Sequence, residues 1–402
     1  MDALKVKALG KRQLFLQHVA QTSPAPLAID VVKASGCTLW DADGKTYTDL
    51  IAGISVCNIG HCHPAVVQAV KEQAETYMHL LVYGELVQTP QVAYAELLAN
   101  HLPAALDSIY FTNSGAEATE GAMKLAKRVT GRTRIIAFNK SYHGSTQGAL
   151  SMIGDEYWRN AYRPLLPDIL HLNYNEHSSL EYITEDVAAV FAETIQAESG
   201  VHAPSFEWMQ ALREKCTATG TLLVLDEIQA GFGRTGTLWA FEQYGIVPDI
   251  LLLGKALGGG MPLGAFVSSH KNMWTLTENP VLGHITTFGG HPVCCAAGYA
   301  GMKALIEEGY MQDIPEKEAL FLTNLKHPRI KAVRSKGLWL SIEFDSFDTN
   351  KKVIDFCIEN GVLTDWFLFA PECLRIGPPL SITEEEIVAA CEVIVRAVEA
   401  VG

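Results

Sequence analysis

Short apolar runs separated by amphipathic stretches set the rhythm of the middle of this chain. Ser108 to Thr112, Arg134 to Phe138, Val187 to Ala192, Thr221 to Leu225 and Ile250 to Leu253 are compact and apolar, and they predict buried strands. Between them the hydrophobic period lengthens. After Gly115, Ala118, Ala122, Leu125 and Val129 fall on one helical face, with Gly131 as the stop. A second helix starts near Pro204, places Phe206, Met209 and Leu212 on one side and ends at Gly220. Strand-helix alternation of this kind predicts an α/β protein with a mainly parallel sheet covered on both faces.

Beyond about residue 300 the pattern changes. Leu338 to Phe344 predicts a strand, the stretch around Lys352 to Glu359 a helix, and the last segment a long helix. That helix opens on the capping box Thr383-Glu384-Glu385-Glu386 and buries Ile387, Cys391, Ile394 and Val398. Near the other end, Cys37-Thr38-Leu39-Trp40, the Asp43-Gly44 turn and Tyr47 to Ile51 predict a hairpin. No repeat or linker divides the chain. The elements predict a large domain over residues 61–300 and a smaller α+β domain assembled from residues 1–60 and 301–402.

With 402 residues, 48% of them hydrophobic, the chain can bury a substantial core. A net charge of −14 without a dense basic run argues against nucleic acid and anionic lipid as partners. No run is long and apolar enough to span a bilayer. The amino terminus, with Asp2 among scattered Lys and Arg, lacks the features of a secretory signal. Nine irregularly spaced cysteines suit reduced thiols better than a disulfide framework, so a cytoplasmic location is expected.

Ligands collect at the carboxyl edge of open parallel sheets, so polar residues just after the apolar runs are where chemistry is sought. The run from Thr221 enters Asp226-Glu227, and the run from Ile250 enters Gly254-Lys255. The run from Ser108 ends in Asn113-Ser114-Gly115-Ala116, where small residues opening a helix expose backbone N–H groups to an anion. After Phe138, Tyr142-His143-Gly144 places a planar side chain on a turn, suited to lie against an aromatic ring. An amine, a carboxylate, a phosphate cup and a ring sandwich are together what pyridoxal phosphate requires. Each alone has an ordinary explanation as a solvated lysine, a helix cap or a tight turn. Their shared position at strand ends is what makes them a set.

These residues lie inside longer stretches that resemble the class III, ornithine-like aminotransferases. The likeness runs through Asp49 to Pro64, Asn113-Ser114-Gly115-Ala116-Glu117-Ala118, Leu225 to Gly236 and Thr286-Thr287-Phe288-Gly289-Gly290. It implies an aspartate-aminotransferase-like fold, pyridoxal 5′-phosphate as cofactor, and amino transfer from an amino compound to a 2-oxo acid, expected to be 2-oxoglutarate, by a ping-pong mechanism. Lys255 would hold the cofactor as a Schiff base and Asp226 would pair with the pyridine nitrogen. Ser114, Gly115 and Ala116 would hold phosphate, Tyr142 and His143 would belong to the stacking segment, Ile228 would pack on the other ring face, and Gln229 would sit near the ring hydroxyl. Thr287 would reach the cofactor of the neighbouring subunit in a homodimer. Glu198 would gate Arg375, the fork for a substrate carboxylate.

One position departs from the family pattern. Ornithine, acetylornithine and 4-aminobutyrate aminotransferases carry a carboxylate-binding arginine after the His-Gly of the stacking segment, whereas here Ser145 follows His143-Gly144. Ile54 likewise stands where ornithine aminotransferases have a substrate-binding tyrosine. The donor is therefore expected only as an amino compound, with ω-amines among the candidates, and Arg159 and Arg163 are the nearby cations that could replace the missing one. An aminomutase or decarboxylating transaminase of the same fold needs the same lysine and carboxylate; a non-catalytic pyridoxal-phosphate-binding protein is a further alternative. Cys57, His61, Cys62 and His63 lack the spacing of a zinc module, so no metal is expected. Cys294-Cys295 reads as a buried helical pair.

Overall fold

The computed structural model describes residues 10–401; the stretch around Asp2, on which the signal-peptide reading rests, lies outside them. In chain order the strands are β1 (Val31–Ser35), β2 (Thr38–Asp41), β3 (Thr46–Asp49), β4 (Ser108–Thr112), β5 (Arg134–Phe138), β6 (Ile169–Leu172), β7 (Val187–Glu193) and β8 (Leu222–Asp226). They continue as β9 (Ile250–Leu253), β10 (Gly264–Ser268), β11 (Ala332–Ser335), β12 (Leu340–Glu343), β13 (Val362–Leu363), β14 (Asp365–Phe367) and β15 (Ala370–Ile376).

Seven strands form the central sheet in the order β4-β10-β9-β8-β7-β5-β6. Only β10 runs against the rest. Alternate residues of one strand feed two cores. Ile135 and Ala137 pack with Ala118, Ala122 and Leu125 of the helix Gly115–Thr130. Ile136 and Phe138 pack with Trp208, Met209 and Leu212 of the helix Phe206–Thr219. Burial on both faces is why these strands read as continuous apolar runs rather than as an alternating pattern.

Both predicted helix stops are found, Gly131 at φ 69° and Gly220 at φ 64°, a left-handed conformation that glycine adopts at little cost. The second helix begins at Phe206, capped by Ser205, so Phe206 sits at its solvent end and is exposed instead of sharing the buried face. The strands β6 and β10 are not among the predicted runs. β6 is interrupted by His171, and β10 opens on a glycine whose added Cβ would lie 2.2 Å from the Ser114 carbonyl oxygen. The helix predicted around Lys352 starts earlier, at Phe347, capped by Ser346.

The chain ends build two smaller sheets, β1-β2-β3-β13 and β11-β12-β15-β14. In the first, β13 lies parallel to β3, with Val362 opposite Thr48, so amino- and carboxyl-terminal segments share one sheet. The capping box at Thr383 forms, with Thr383 Oγ1 accepting from Glu386 N at 3.2 Å and Glu386 Oε2 accepting from Thr383 N at 2.9 Å. Cys294 and Cys295 are buried in the helix Pro292–Glu307.

Arg234 joins these parts to the central sheet. It is fully buried and donates to the carbonyls of Leu338 and Pro378, at 2.8 and 2.6 Å, and to Asn58 Oδ1 at 2.7 Å. No carboxylate contacts it among the described residues, and burial pulls its guanidinium down to about 9. Truncation strands three buried acceptors at once. Arg234→Ala should cost about 3–5 kcal/mol of stability, seen as a lower urea midpoint without a new intermediate, because each orphaned acceptor costs about 1–3 kcal/mol.

Candidate active site

Parallel strands deliver their carboxyl ends to one rim of the central sheet, as the sheet rule expects. There β5 leads to Tyr142-His143-Gly144, β7 ends at Glu193, β8 ends at Asp226, and β9 leads through Gly254 to Lys255. A cavity of about 510 Å³ opens at this rim, lined by Tyr142, Ser145, Asp226, Ile228, Gln229 and Lys255 among others.

Asp226 is held from two sides. Its Oδ1 accepts from Ile228 N at 2.9 Å, and its Oδ2 lies 2.7 Å from His143 Nδ1. The His143 ring is thus committed to orienting Asp226, although it also borders the cavity. Strand alternation sends the adjacent Glu227 the other way, where it accepts from the backbone of Ala240 and Phe241 at 2.7 and 2.6 Å. Only the first member of the Asp-Glu pair therefore faces the site.

Lys255 is in a left-handed backbone conformation, φ 48°, strained for a residue with a side chain. Burial lowers its amine to about 8, an effect that Glu198 and Asp226 partly offset. Lowering the pKa enlarges the fraction of neutral, nucleophilic amine near neutral pH.

At the opening of the helix Gly115–Thr130, Ser114 Oγ accepts from Glu117 N at 3.2 Å. That hydroxyl is the helix cap. The N–H groups of Gly115 and Ala116 have no protein partner among the described residues, and both residues line the cavity. A Cβ on Gly115 would lie 2.7 Å from Ile228 Cδ1. One on Gly144, at φ 128°, would lie 2.6 Å from Ala116 Cβ. Close backbone approach at this corner is what requires glycine.

Glu198 and Arg375 form a buried bidentate pair, NH1 to Oε1 at 3.0 Å and NH2 to Oε2 at 2.8 Å. Neither lines the cavity. Gln229 does, and its Nε2 donates to Glu198 Oε1 at 3.2 Å, so the pair stands one layer behind the cavity wall. Burial pushes the Glu198 carboxyl up, but the charge and hydrogen bonds of Arg375, with help from Leu368 N and Gln229, leave it below the usual range.

Thr287 is exposed and is not among the residues lining this chain's own cavity. Ser145 lines it, with Oγ 3.0 Å from the Tyr142 hydroxyl. The two nearby arginines are engaged elsewhere: Arg159 and Arg163 both bind Glu156, Arg163 at 2.7 Å. Ile54 lies in the turn Ala52–Ser55, whose residues all have φ between 51° and 62°. Asp49 Oδ1 ties down this turn by accepting from Ile51 N and Ala52 N, while its Oδ2 binds His61 Nε2 at 2.7 Å. The bond to Asp49, with help from Cys57, raises His61 to about 10, a protonated state in which the ring has no lone pair for a metal.

Glu193 was not singled out from the sequence as a site residue, yet it lines the cavity. It is the direct register partner of Asp226 across β7 and β8. Burial, then the Asp226 charge, push its carboxyl well above the usual range. Inspecting the end of the Val187 run as well as the other four would have found it.

The sequence model of the aminotransferase class-III family matches residues 19–398. The chain belongs to the class-III aminotransferase family. The acetylornithine aminotransferase of Caldanaerobacter subterraneus subsp. tengcongensis is 37% identical over 380 residues, 91% of this chain and 93% of that one. The acetylornithine aminotransferase of Bacillus subtilis is 39% identical over 378 residues, 92% and 95% of the two chains. Among solved structures, the ornithine aminotransferase of Toxoplasma gondii superposes with a TM-score of 0.90 at 32% identity, covering 96% of this chain and 93% of that one.

As a class-III aminotransferase the chain is a pyridoxal-phosphate-dependent enzyme that moves an amino group from an amino compound to a 2-oxo acid. The residues present fit that cofactor. Gly115 and Ala116 offer free N–H groups for phosphate, Lys255 an amine, and Asp226 an anchored carboxylate; Gln229 Oε1 is buried without a partner. When bound, the cofactor supplies an electron-withdrawing ring that stabilises negative charge at the substrate carbon.

Proposed function

We propose that this class-III aminotransferase takes the amino group of an ω-amine and passes it to 2-oxoglutarate by a ping-pong mechanism. The observation that carries the donor is the charge of the cavity wall: Lys255 is its only Lys or Arg among the described residues, and Ser145 occupies the family's cationic position. A donor carboxylate at that end of the cavity has no partner. Arg159 and Arg163 are both held by Glu156 and neither lines the cavity, so they do not supply one.

The residue roles in this reading come from the family resemblance, and the geometry of the cavity supports them. Lys255 would hold the cofactor through its amine and would serve as the base that moves a proton at the substrate carbon. Asp226, oriented by His143, would pair with the ring nitrogen and keep it protonated. Gly115 and Ala116 bind phosphate through backbone N–H groups, with Ser114 fixing that helix end. Tyr142 and Ile228 would flank the ring, and Gln229 would sit beside its hydroxyl; all three line the cavity. Glu198 and Arg375 separate and re-form so that one pocket admits two unlike substrates. Such a pair supports two-substrate transfer over rearrangement within one molecule.

A homodimer with Thr287 at the neighbouring active site accompanies this reading. It is supported by the exposed apolar side chains Leu80, Leu81, Val87, Leu282, Ile285 and Phe288 around Thr287. The His79 and Phe288 rings lie in tilted contact, centroids 4.9 Å apart, which brings the two segments together. The large domain of residues 61–300 would carry the cofactor and the smaller one, from 1–60 and 301–402, the substrate fork. The membership of the three sheets supports that division. Nine free thiols support a cytoplasmic location; among the described residues no helix is long and apolar enough to cross a membrane.

Donor specificity tests the proposal. A simple ω-amine without a carboxylate should give a higher kcat/KM than N-acetylornithine, and Ser145→Arg should raise kcat/KM for N-acetylornithine about tenfold or more by restoring a charge-assisted bond. Unmodified enzyme that prefers N-acetylornithine to every carboxylate-free amine would refute a donor that lacks a carboxylate.

A further inference from the structure

A third charged residue stands at the Glu198–Arg375 pair. Asp365 of β14 is the cross-strand register partner of Arg375 on β15, so the sheet itself sets the two side chains together. Asp365 Oδ1 lies 2.9 Å from Arg375 Nε. The two atoms are close enough for charge pairing, but the N–H is poorly aimed at the carboxylate. The remaining donors of the guanidinium are engaged: NH1 and NH2 grip Glu198, and NH2 also donates to the Trp366 carbonyl at 3.0 Å. Its plane packs over the Phe367 ring, 4.5 Å from the centroid. One guanidinium thus faces two carboxyl groups while fully bonded to only one.

We infer that Asp365 is a second counter-charge for Arg375, one that stays with the guanidinium when Glu198 turns away and so weakens the grip of this site on the carboxylate of the 2-oxo acid. The inference rests on the proposed role of Arg375 as the carboxylate fork. Asp365 has what such a role needs. Its side chain has no other hydrogen bond among the described residues, and it is 26% exposed, so a small rotation of Arg375 can complete the Nε bond. Glu198 has further to go, because leaving Arg375 also costs its bonds to Leu368 N and Gln229. With Glu198 displaced, an incoming carboxylate would meet a guanidinium already half neutralised rather than a bare cation.

The competition depends on pH. The charged groups facing Asp365 are Arg375 on β15, Glu198 after β7 and Asp49 on β3, the last itself paired with His61. Burial raises the Asp365 carboxyl; Arg375 opposes the rise and Glu198 adds to it, with a result of about 6. Below that value Asp365 is neutral and leaves the fork to the ligand; above it Asp365 is charged and competes. Carboxylate binding should therefore weaken as pH rises through about 6.

Glutarate, a dicarboxylate with no group to transaminate, is a suitable probe. Its affinity for the holoenzyme can be measured by titration calorimetry between pH 5.5 and 8, with the cofactor spectrum as a check of folding. Asp365→Asn should bind glutarate about tenfold more tightly than the unmodified protein at pH 8. The gap should shrink toward pH 5.5. Comparing the two proteins cancels the titration of the ligand itself, and a merely structural role would not make the gap depend on pH. Asp365→Ser, which also removes the charge, should behave alike. Equal affinity at pH 8, or weaker binding in both variants, would overturn the inference. Arg375→Ala separates the two levels: unchanged glutarate binding in that variant would mean that the fork reading itself is wrong.

Discussion

Lys255→Ala should lose the visible absorption of the lysine-linked cofactor and nearly all turnover, while the fold and a loosely held cofactor remain. The side chain is placed by backbone geometry, since φ 48° at Lys255 follows an extended Gly254 at the end of β9 and turns the residue into the rim. In the proposed role two functions would disappear together, the covalent hold on the cofactor and the proton shuttle. General acid-base catalysis alone is worth about 10²–10⁴-fold in rate. Turnover should therefore fall by at least that range, and added small amines should restore part of it by replacing the shuttle. Asp226 lies close enough to share the site, but its carboxylate cannot form the covalent link. Undiminished catalysis in the variant would remove Lys255 from the mechanism.

Arg375→Ala should damage the half-reaction with glutamate or 2-oxoglutarate far more than the half-reaction with the amine donor. The substitution leaves Glu198 buried, 3% exposed, with only Leu368 N and Gln229 to bind it. Losing one partner of a buried charged pair costs about 2–5 kcal/mol, so the acceptor half should slow by roughly thirtyfold or more. Glu198→Ala should do the reverse and favour glutamate over the donor, because Arg375 would be permanently available. Single-turnover stopped flow separates the two halves. Equal losses in both halves for both variants would indicate a fixed structural salt bridge.

How much of this could be read from the chain differs by element, for physical reasons. The strands at Arg134 and Ile250 were legible because burial on both faces turns a strand into an uninterrupted apolar run. The helix ends at Gly131, Gly220 and Thr383 were legible because caps are local chemistry. β10 was not, because its three apolar residues Ala265-Phe266-Val267 begin on a glycine, which reads as a turn rather than a strand. Within the site, residues directly following predicted strands were found, among them Asp226 and Lys255. Glu193 is also a strand end, and was passed over because the predicted run stopped at Ala192.

Other features depend on register between distant segments. His143 supports Asp226 across 83 positions of sequence, and only the fold shows its ring turned to that carboxylate. Asp365 belongs to a strand of three residues, too short to carry a period, and its meaning comes from lying opposite Arg375. The Glu198–Arg375 pair spans 177 positions and was reached through family resemblance, not through local pattern.

The central claim is amino transfer between two molecules, and isotope tracing tests it most directly. Donor ω-amines carrying labelled amino nitrogen are incubated with the enzyme, pyridoxal phosphate and unlabelled 2-oxoglutarate, and the products are weighed by mass spectrometry. Labelled glutamate should form together with the carbonyl product of the donor, one for one, and neither should form with Lys255→Ala. Label that stays in a rearranged or decarboxylated donor, with no labelled glutamate, would contradict the account.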